Sequence, residues 1–117
     1  MKKPTTLGLV AAVAAAAAAL LGAQAAVAAP NICVAANGAV RHHSGTATCD
    51  ASGTGSVAIA NGDGSDATAT GGDHNRARVK GDDSDAFAGS GDNNTATATG
   101  DGCTALALGD NQTDSCP

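Results

Sequence analysis

From Leu7 to Leu21 the chain is an almost unbroken apolar run; from residue 56 onward apolar and polar positions alternate in short bursts broken by Gly and Asp. The two patterns predict two kinds of segment. The first run follows Lys2 and Lys3 and leads to Ala26-Val27-Ala28. A positive start, an apolar stretch and small residues at its end form the layout of a secretory signal peptide, so residues 1–28 read as a helical signal cut after Ala28. A cut one residue later would leave Pro30 first. A retained anchor is the competing reading, but the run is short for a bilayer span and rich in weakly apolar Ala. A lipid anchor lacks its motif, because Pro30-Asn31-Ile32 precedes Cys33 where Leu and two small residues are needed.

The later bursts have the form Ala-x-Ala, a period of two and the signature of a strand. They recur at a fixed interval. Residues 56–74, 75–93 and 94–112 align without a gap. Ala58, Ala77 and Ala96 coincide, as do Gly62, Gly81 and Gly100, and Asp63, Asp82 and Asp101. Ala67, Ala86 and Ala105 match, then Ala69, Ala88 and Ala107, then Asp73, Asp92 and Asn111. The Gly-Asp pieces between bursts are turn chemistry: Gly takes positive φ, and Asp or Asn bonds nearby backbone.

Strand, turn, strand, turn makes one coil of a β-solenoid. The expected fold is all-β, a short narrow solenoid of about three 19-residue coils with disulfide-bonded caps. Residues 29–55 read as an N-terminal cap or loop, with Ala47-Thr48-Cys49 a degenerate strand. Residues 56–112 are the repeat solenoid and 113–117 a tail carrying a disulfide. Alternate Ala side chains would face inward. Val57 and Ile59, then Arg76, Arg78 and Lys80, then Thr95, Thr97 and Thr99 would cover one outer face. Asp66, Thr68 and Thr70, then Asp85 and Phe87, then Thr104, Leu106 and Leu108 would cover the other. The competing reading is a largely disordered Gly/Ala/Asp/Thr linker.

Composition sharpens this picture. The 43% hydrophobic content of the 117 residues is largely Ala, much of it in the signal. Beyond residue 28 the large apolar side chains are Ile32, Val34, Val40, Val57, Ile59, Val79, Phe87, Leu106 and Leu108. These are too few to offset the ordering entropy of a normal globular core, so a folded chain needs regular backbone pairing with covalent or oligomeric help. The four cysteines supply such help in an exported chain as two disulfides. Of the three connectivities, Cys33–Cys49 and Cys103–Cys116 place one bridge near each end. No Cys-x-x-Cys pair suggests zinc.

Removing Lys2 and Lys3 leaves four basic side chains against eleven acidic ones, all Asp, a net charge of −7. That disfavours nucleic acid and anionic lipid as partners, and a single aromatic, Phe87, removes the stacking platforms of single-strand binders. After signal cleavage nothing calls for membrane insertion.

The Ala-x-Ala-x-Gly units and polar turns over residues 56–112 resemble the head repeats of trimeric autotransporter adhesins, which implies a β-roll. The repeat length differs, and that family's stalk and anchor are missing, so the resemblance does not imply adhesion. The whole chain, with its Ala-rich signal, four Cys and Ala/Gly/Asp/Thr bias, is similar to small secreted repeat proteins of mycobacteria and related actinobacteria. That similarity implies export and no particular activity.

Stacking at this period would place Asp63, Asp82 and Asp101 in one column, Asp73 and Asp92 in a second, and Asp66 and Asp85 in a third. Like charges one strand apart repel, and a calcium ion would relieve them. The pattern resembles the calcium-binding nonapeptide rolls, yet only fragments such as Gly62-Asp63-Gly64-Ser65-Asp66 occur; the alternative is solvated Asp capping turns. The Thr runs are similar to ice-binding arrays, but Thr95 shares its column with Arg76 and Val57. Arg76, Arg78 and Lys80 suggest either an anionic glycan site or a surface balanced by Asp73, Asp82 and Asp83. His42, His43 and His74 are a weak metal candidate, since neighbours on a strand point to opposite faces.

Catalysis finds no motif: there is no Glu, no Gly-x-Ser-x-Gly elbow and no phosphate loop. The expectation is a secreted, non-enzymatic structural or interaction protein of the cell envelope or exterior. Its candidate partners are a second copy of itself or an envelope or extracellular protein or glycan. A calcium-binding protein using the Asp columns is the alternative.

Overall fold

A computed structural model of the chain describes residues 29–117. The signal segment and its cut after Ala28 lie outside the described residues. Ten strands follow in order: β1 (Ile32–Ala36), β2 (Ala39–Ser44), β3 (Thr48–Ala51), β4 (Val57–Asn61), β5 (Asp66–Thr70), β6 (Arg76–Lys80), β7 (Asp85–Gly89), β8 (Thr95–Ala98), β9 (Thr104–Leu108) and β10 (Thr113–Cys116). They form a six-stranded sheet in the order β10-β8-β6-β4-β1-β2 and a four-stranded sheet in the order β3-β5-β7-β9. Successive strands of the chain alternate between the sheets from β3 onward, so the chain winds as a β-solenoid.

The register is set by the repeat. Val57 pairs with Arg76 and Arg76 with Thr95, each nineteen residues on. On the other side Asp66 pairs with Asp85 and Asp85 with Thr104 at the same interval. At both ends the step shortens to eighteen: Thr48 pairs with Asp66, and Thr95 with Thr113. With four parallel strands on each side, the solenoid has about four turns, against the three expected. The additional strands, β3 and β10, come from the segments read as cap and tail. Parallel pairing uses backbone groups, so it extends beyond the visible repeat wherever the inward side chains stay small.

The interior is a double file of methyl groups. Ala58, Ala60, Ala67, Ala69, Ala77, Ala86, Ala88, Ala96, Ala98, Ala105 and Ala107 are all buried, with Val79 the one larger aliphatic side chain among them. Buried residues alternate with more exposed ones along β1, β4, β5, β6, β8 and β9, while β2 is exposed almost throughout; on β6, Ala77 and Val79 are buried between exposed Arg76, Arg78 and Lys80. The predicted inward and outward sets are the observed ones.

Both expected bridges form. Cys33 on β1 joins Cys49 on β3 across the two sheets, with Cα atoms 5.6 Å apart. Cys103, at the entry to β9, joins Cys116 on β10, 5.9 Å apart. Each bridge ties one sheet to the other at an end of the coil, where the Ala interior alone provides least contact.

The N-terminal cap is a hairpin that the reading as cap or loop did not resolve. β1 runs antiparallel to β4 and turns through Asn37-Gly38 into β2. Both turn residues have positive φ, 51° and 77°, the two-residue geometry that Asn-Gly favours. The turn also closes the top of the other sheet: Gly38 N–H donates to Ala51 O at 2.5 Å and Asn37 N–H to Ser56 O at 3.1 Å.

One alignment is corrected. Asn111 does not follow Asp92 in its column; Asp110 does, because the last turn of this kind is one residue shorter and has no counterpart of Ser90. Asn111 takes a φ of 58°, matching His74 and Asn93 at 59°.

Candidate functional site

The polar chemistry of the coil gathers at two corners and on two outer faces. At the corner entering β4, β6 and β8, Ser56, Asn75 and Asn94 are buried one above another. Asn75 N–H donates to Ser56 Oγ at 3.2 Å, Asn94 N–H to Asn75 Oδ1 at 3.0 Å, and Gln112 N–H to Asn94 Oδ1 at 2.9 Å. The Asn75 Nδ2 group donates to Gly91 O at 2.8 Å and the Asn94 Nδ2 group to Gly89 O at 3.1 Å. At the opposite corner Ser84 Oγ donates to Gly100 O and accepts Cys103 N–H at 3.0 Å. Among the described residues every buried side-chain nitrogen and oxygen has a partner. These ladders stand where the turns need hydrogen bonds, and they leave none of the buried Ser and Asn side-chain groups without a partner.

Backbones also meet closely there. A Cβ on Gly72 would collide with Gly91 O, and one on Gly62 with Gly81 O. The glycine columns therefore record a lack of space between coils as much as turn conformation.

The Asp columns predicted from the repeat do form. Asp63 N–H donates to Asp82 Oδ1 at 2.7 Å, and Asp82 N–H to Asp101 Oδ1 at 3.0 Å. In the second column Thr54 N–H donates to Asp73 Oδ1 at 2.8 Å, Asp73 N–H to Asp92 Oδ1 at 2.8 Å, and Asp92 N–H to Asp110 Oδ1 at 3.0 Å. At the N-terminal end the Thr46 hydroxyl donates to Asp63 Oδ1. Each carboxylate thus meets a donor of the coil before it, in most cases a peptide N–H, a charge-assisted bond that offsets the repulsion within the column without a cation. Among the described residues no three His, Cys or Asp side chains are gathered as a metal ion requires. His42 and His43 lie on β2, while His74 sits at the corner before β6.

The outer faces differ in charge. On the six-stranded sheet Val57 and Ile59 lie beside Arg76 and Arg78, which lie beside Thr95 and Thr97. Lys80 continues the basic row past Asn61. No outward position of β4, β6, β8 or β10 on this face is acidic; Asp73, Asp82 and Asp83 stand at the corners instead. On the four-stranded sheet the rows run Thr48, Asp66, Asp85, Thr104 and Asp50, Thr68, Phe87, Leu106. This face carries three acids and no base. At its β9 end Leu106 is 53% and Leu108 52% exposed. A shallow open depression between the β1–β2 turn and Gly53–Gly55 is lined by Asn37, Gly38, Gly53, Thr54 and Gly55, none of them ionisable.

No family model, curated protein or solved structure matches the chain. No described helix is long and apolar enough to cross a membrane.

Proposed function

We propose that this chain is an exported, non-enzymatic structural or interaction protein of the cell envelope or exterior, working through the outer faces of its sheets. The observation that carries the reading is the pairing of all four cysteines into two bridges, one at each end of a coil with a two-residue-wide Ala interior. Such a coil depends on covalent closure, and closure of this kind persists in an oxidising compartment. The chemistry of the site supports interaction over catalysis. Buried Ser and Asn side chains hold turns, most columnar Asp side chains accept peptide N–H groups, and Asp50, Asp66, Asp85, Arg76, Arg78 and Lys80 lie on the outer faces of strands.

Fractionation of the producing cell, with thiol alkylation before lysis, tests the reading. The expected result is a processed chain in the envelope or medium with no alkylated cysteine. A reduced chain in the cytoplasm overturns it.

A further inference from the structure

We propose that the two outer faces are the two halves of one interface, so that a second copy of this chain docks its four-stranded face onto the six-stranded face of the first. The inference rests on the interaction reading above and names its partner.

Three features of the faces agree. The first is charge. The six-stranded face carries Arg76, Arg78 and Lys80, while the four-stranded face carries Asp50, Asp66 and Asp85. Against an overall excess of acid, three of the four described bases share one face and match the acids on the other, the fourth, Arg41, lying on the edge strand β2.

The second is the order of residues along the coil. Inside the edge strand β2, which carries Arg41 and His42, the six-stranded face starts with apolar residues, Val34 directly opposite Ile59 between β1 and β4, and the bases of β6 follow. On the four-stranded face the acids come first, and the apolar group of Phe87, Leu106 and Leu108 comes last. Turning one copy by half a turn about the face normal lays the apolar end of each face on the apolar end of the other.

The third is the order across the strands. Consecutive strands run in opposite senses on the two sides of the coil. The same half turn therefore sets the row of Val57 and Arg76 over the row of Asp66 and Asp85. One rotation brings the apolar groups together and the opposite charges together. Without it Arg76 would face the row of Thr70, Gly89 and Leu108.

Size decides how strong this contact is. Four strands at about 4.8 Å spacing and five residues at about 3.3 Å give a face of only about 300 Å² per partner. Stable complexes bury about 800 Å² per partner, so the association is weak, salt-sensitive and concentration-dependent. Because the contact joins unlike faces, it repeats, and the copies stack in open rows.

Sedimentation velocity on the oxidised protein recovered from its producing cell tests the inference. The weight-average sedimentation coefficient should rise as concentration approaches about 1 mM and fall back when salt goes from about 0.05 to 0.5 M. Arg76→Asp/Arg78→Asp/Lys80→Asp and, separately, Asp66→Lys/Asp85→Lys should each weaken association by about tenfold or more. An equimolar mixture of the two variants should regain it, since each reversed face then meets its complement. An unchanged β spectrum in both variants shows that the coil is intact. A wild-type chain that stays monomeric, a salt-independent association, or a mixture that fails to recover overturns the inference. So does a monomer that instead binds polygalacturonate through the basic row, which would assign that face to an anionic glycan. An exported monomer defeats this inference alone; a reduced cytoplasmic chain defeats the reading beneath it.

Discussion

Asp114 turns inward beneath the last coil and accepts the Leu106 N–H on its Oδ2 at 2.7 Å. The same side chain accepts Ser115 N–H on Oδ1 at 3.0 Å. Asp114 pairs with Ala96 in the register, so it occupies the place where a further Ala would continue the interior. It satisfies an N–H on the open edge of β9 and puts a charge where another coil would have to bury it, one of the ways sheet proteins block edge pairing. Asp114→Ala should leave the monomer's β spectrum intact and accelerate end-to-end fibre growth, measured by thioflavin fluorescence and electron microscopy. Unchanged growth would show that the bridge at Cys116 closes this end by itself.

The Asn ladder gives a graded prediction. Asn75 is 1% exposed, and its side chain serves three neighbours at once, donating to Thr70 O and Gly91 O and accepting from Asn94 N–H. Asn75→Ala strands Gly91 O and Asn94 N–H in the corner and should cost about 2–4 kcal/mol in denaturant unfolding of the oxidised chain. Asn75→Ser restores the residue used at position 56, whose hydroxyl accepts the N–H of the next coil, and should cost less than half as much. Equal losses would mean that volume rather than hydrogen bonding holds the corner.

Two glycines separate close approach from backbone strain. Gly102 has a φ of 64° and open space within 4 Å of where a methyl would stand, while Gly72 has the clash with Gly91 O and no left-handed φ. Gly102→Ala should cost about 1–2 kcal/mol. Gly102→Asp should cost less, since Asp83 holds the same column at 50°. Gly72→Ala should cost more than either, about 3 kcal/mol, because the obstacle is backbone that cannot move aside. The order of the three midpoints in urea checks the argument.

Reduction should act from the ends inward. The bridges close loops with sequence separations of 16 and 13, and loops of that length stabilise by about 3 kcal/mol each in the chain-entropy model. Hydrogen exchange after dithiothreitol treatment should show β1–β3 and β9–β10 losing protection before β5–β7. Simultaneous loss everywhere would show that the coil has no independent middle.

Calcium is expected to leave both the β spectrum and the melting temperature unchanged, because peptide N–H groups already serve the columnar carboxylates. A rise of several degrees at millimolar calcium would return Asp63, Asp82, Asp101, Asp73 and Asp92 to consideration as ligands.

The nineteen-residue spacing makes the coil, its inward Ala files and its outward rows legible, and the position of the four cysteines toward the two ends makes both bridges legible. A column position says which residues are stacked, but it does not say which atoms meet. That the Asp82 carboxylate takes the Asp63 N–H depends on the corner path of the chain, and an alignment carries no such information. The hairpin of β1 and β2 is legible locally, since Asn37-Gly38 between apolar residues is a strong turn signal, yet it has no partner at the repeat interval and so the repeat does not reveal it. The step of eighteen at Gly109-Asp110 is hidden for a related reason. Asn111 resembles Asp well enough to fill the column in an alignment, and only the hydrogen bond from Asp92 shows that its neighbour stands there.

The glycine columns bear on how such a chain changes length. Every internal coil meets the next through the same backbone contact, and the terminal bridges involve no residue of β4–β8. A duplication of nineteen codons within β4–β8 therefore inserts a unit that already fits above and below, adding about 4.8 Å of height and one more strand to each face. A duplication well away from a multiple of nineteen would put the inserted stretch out of register with the coils on either side of it, setting side chains against carbonyls at those corners. Growth of this architecture is quantised, and its outer faces can lengthen while its two closures stay as they are.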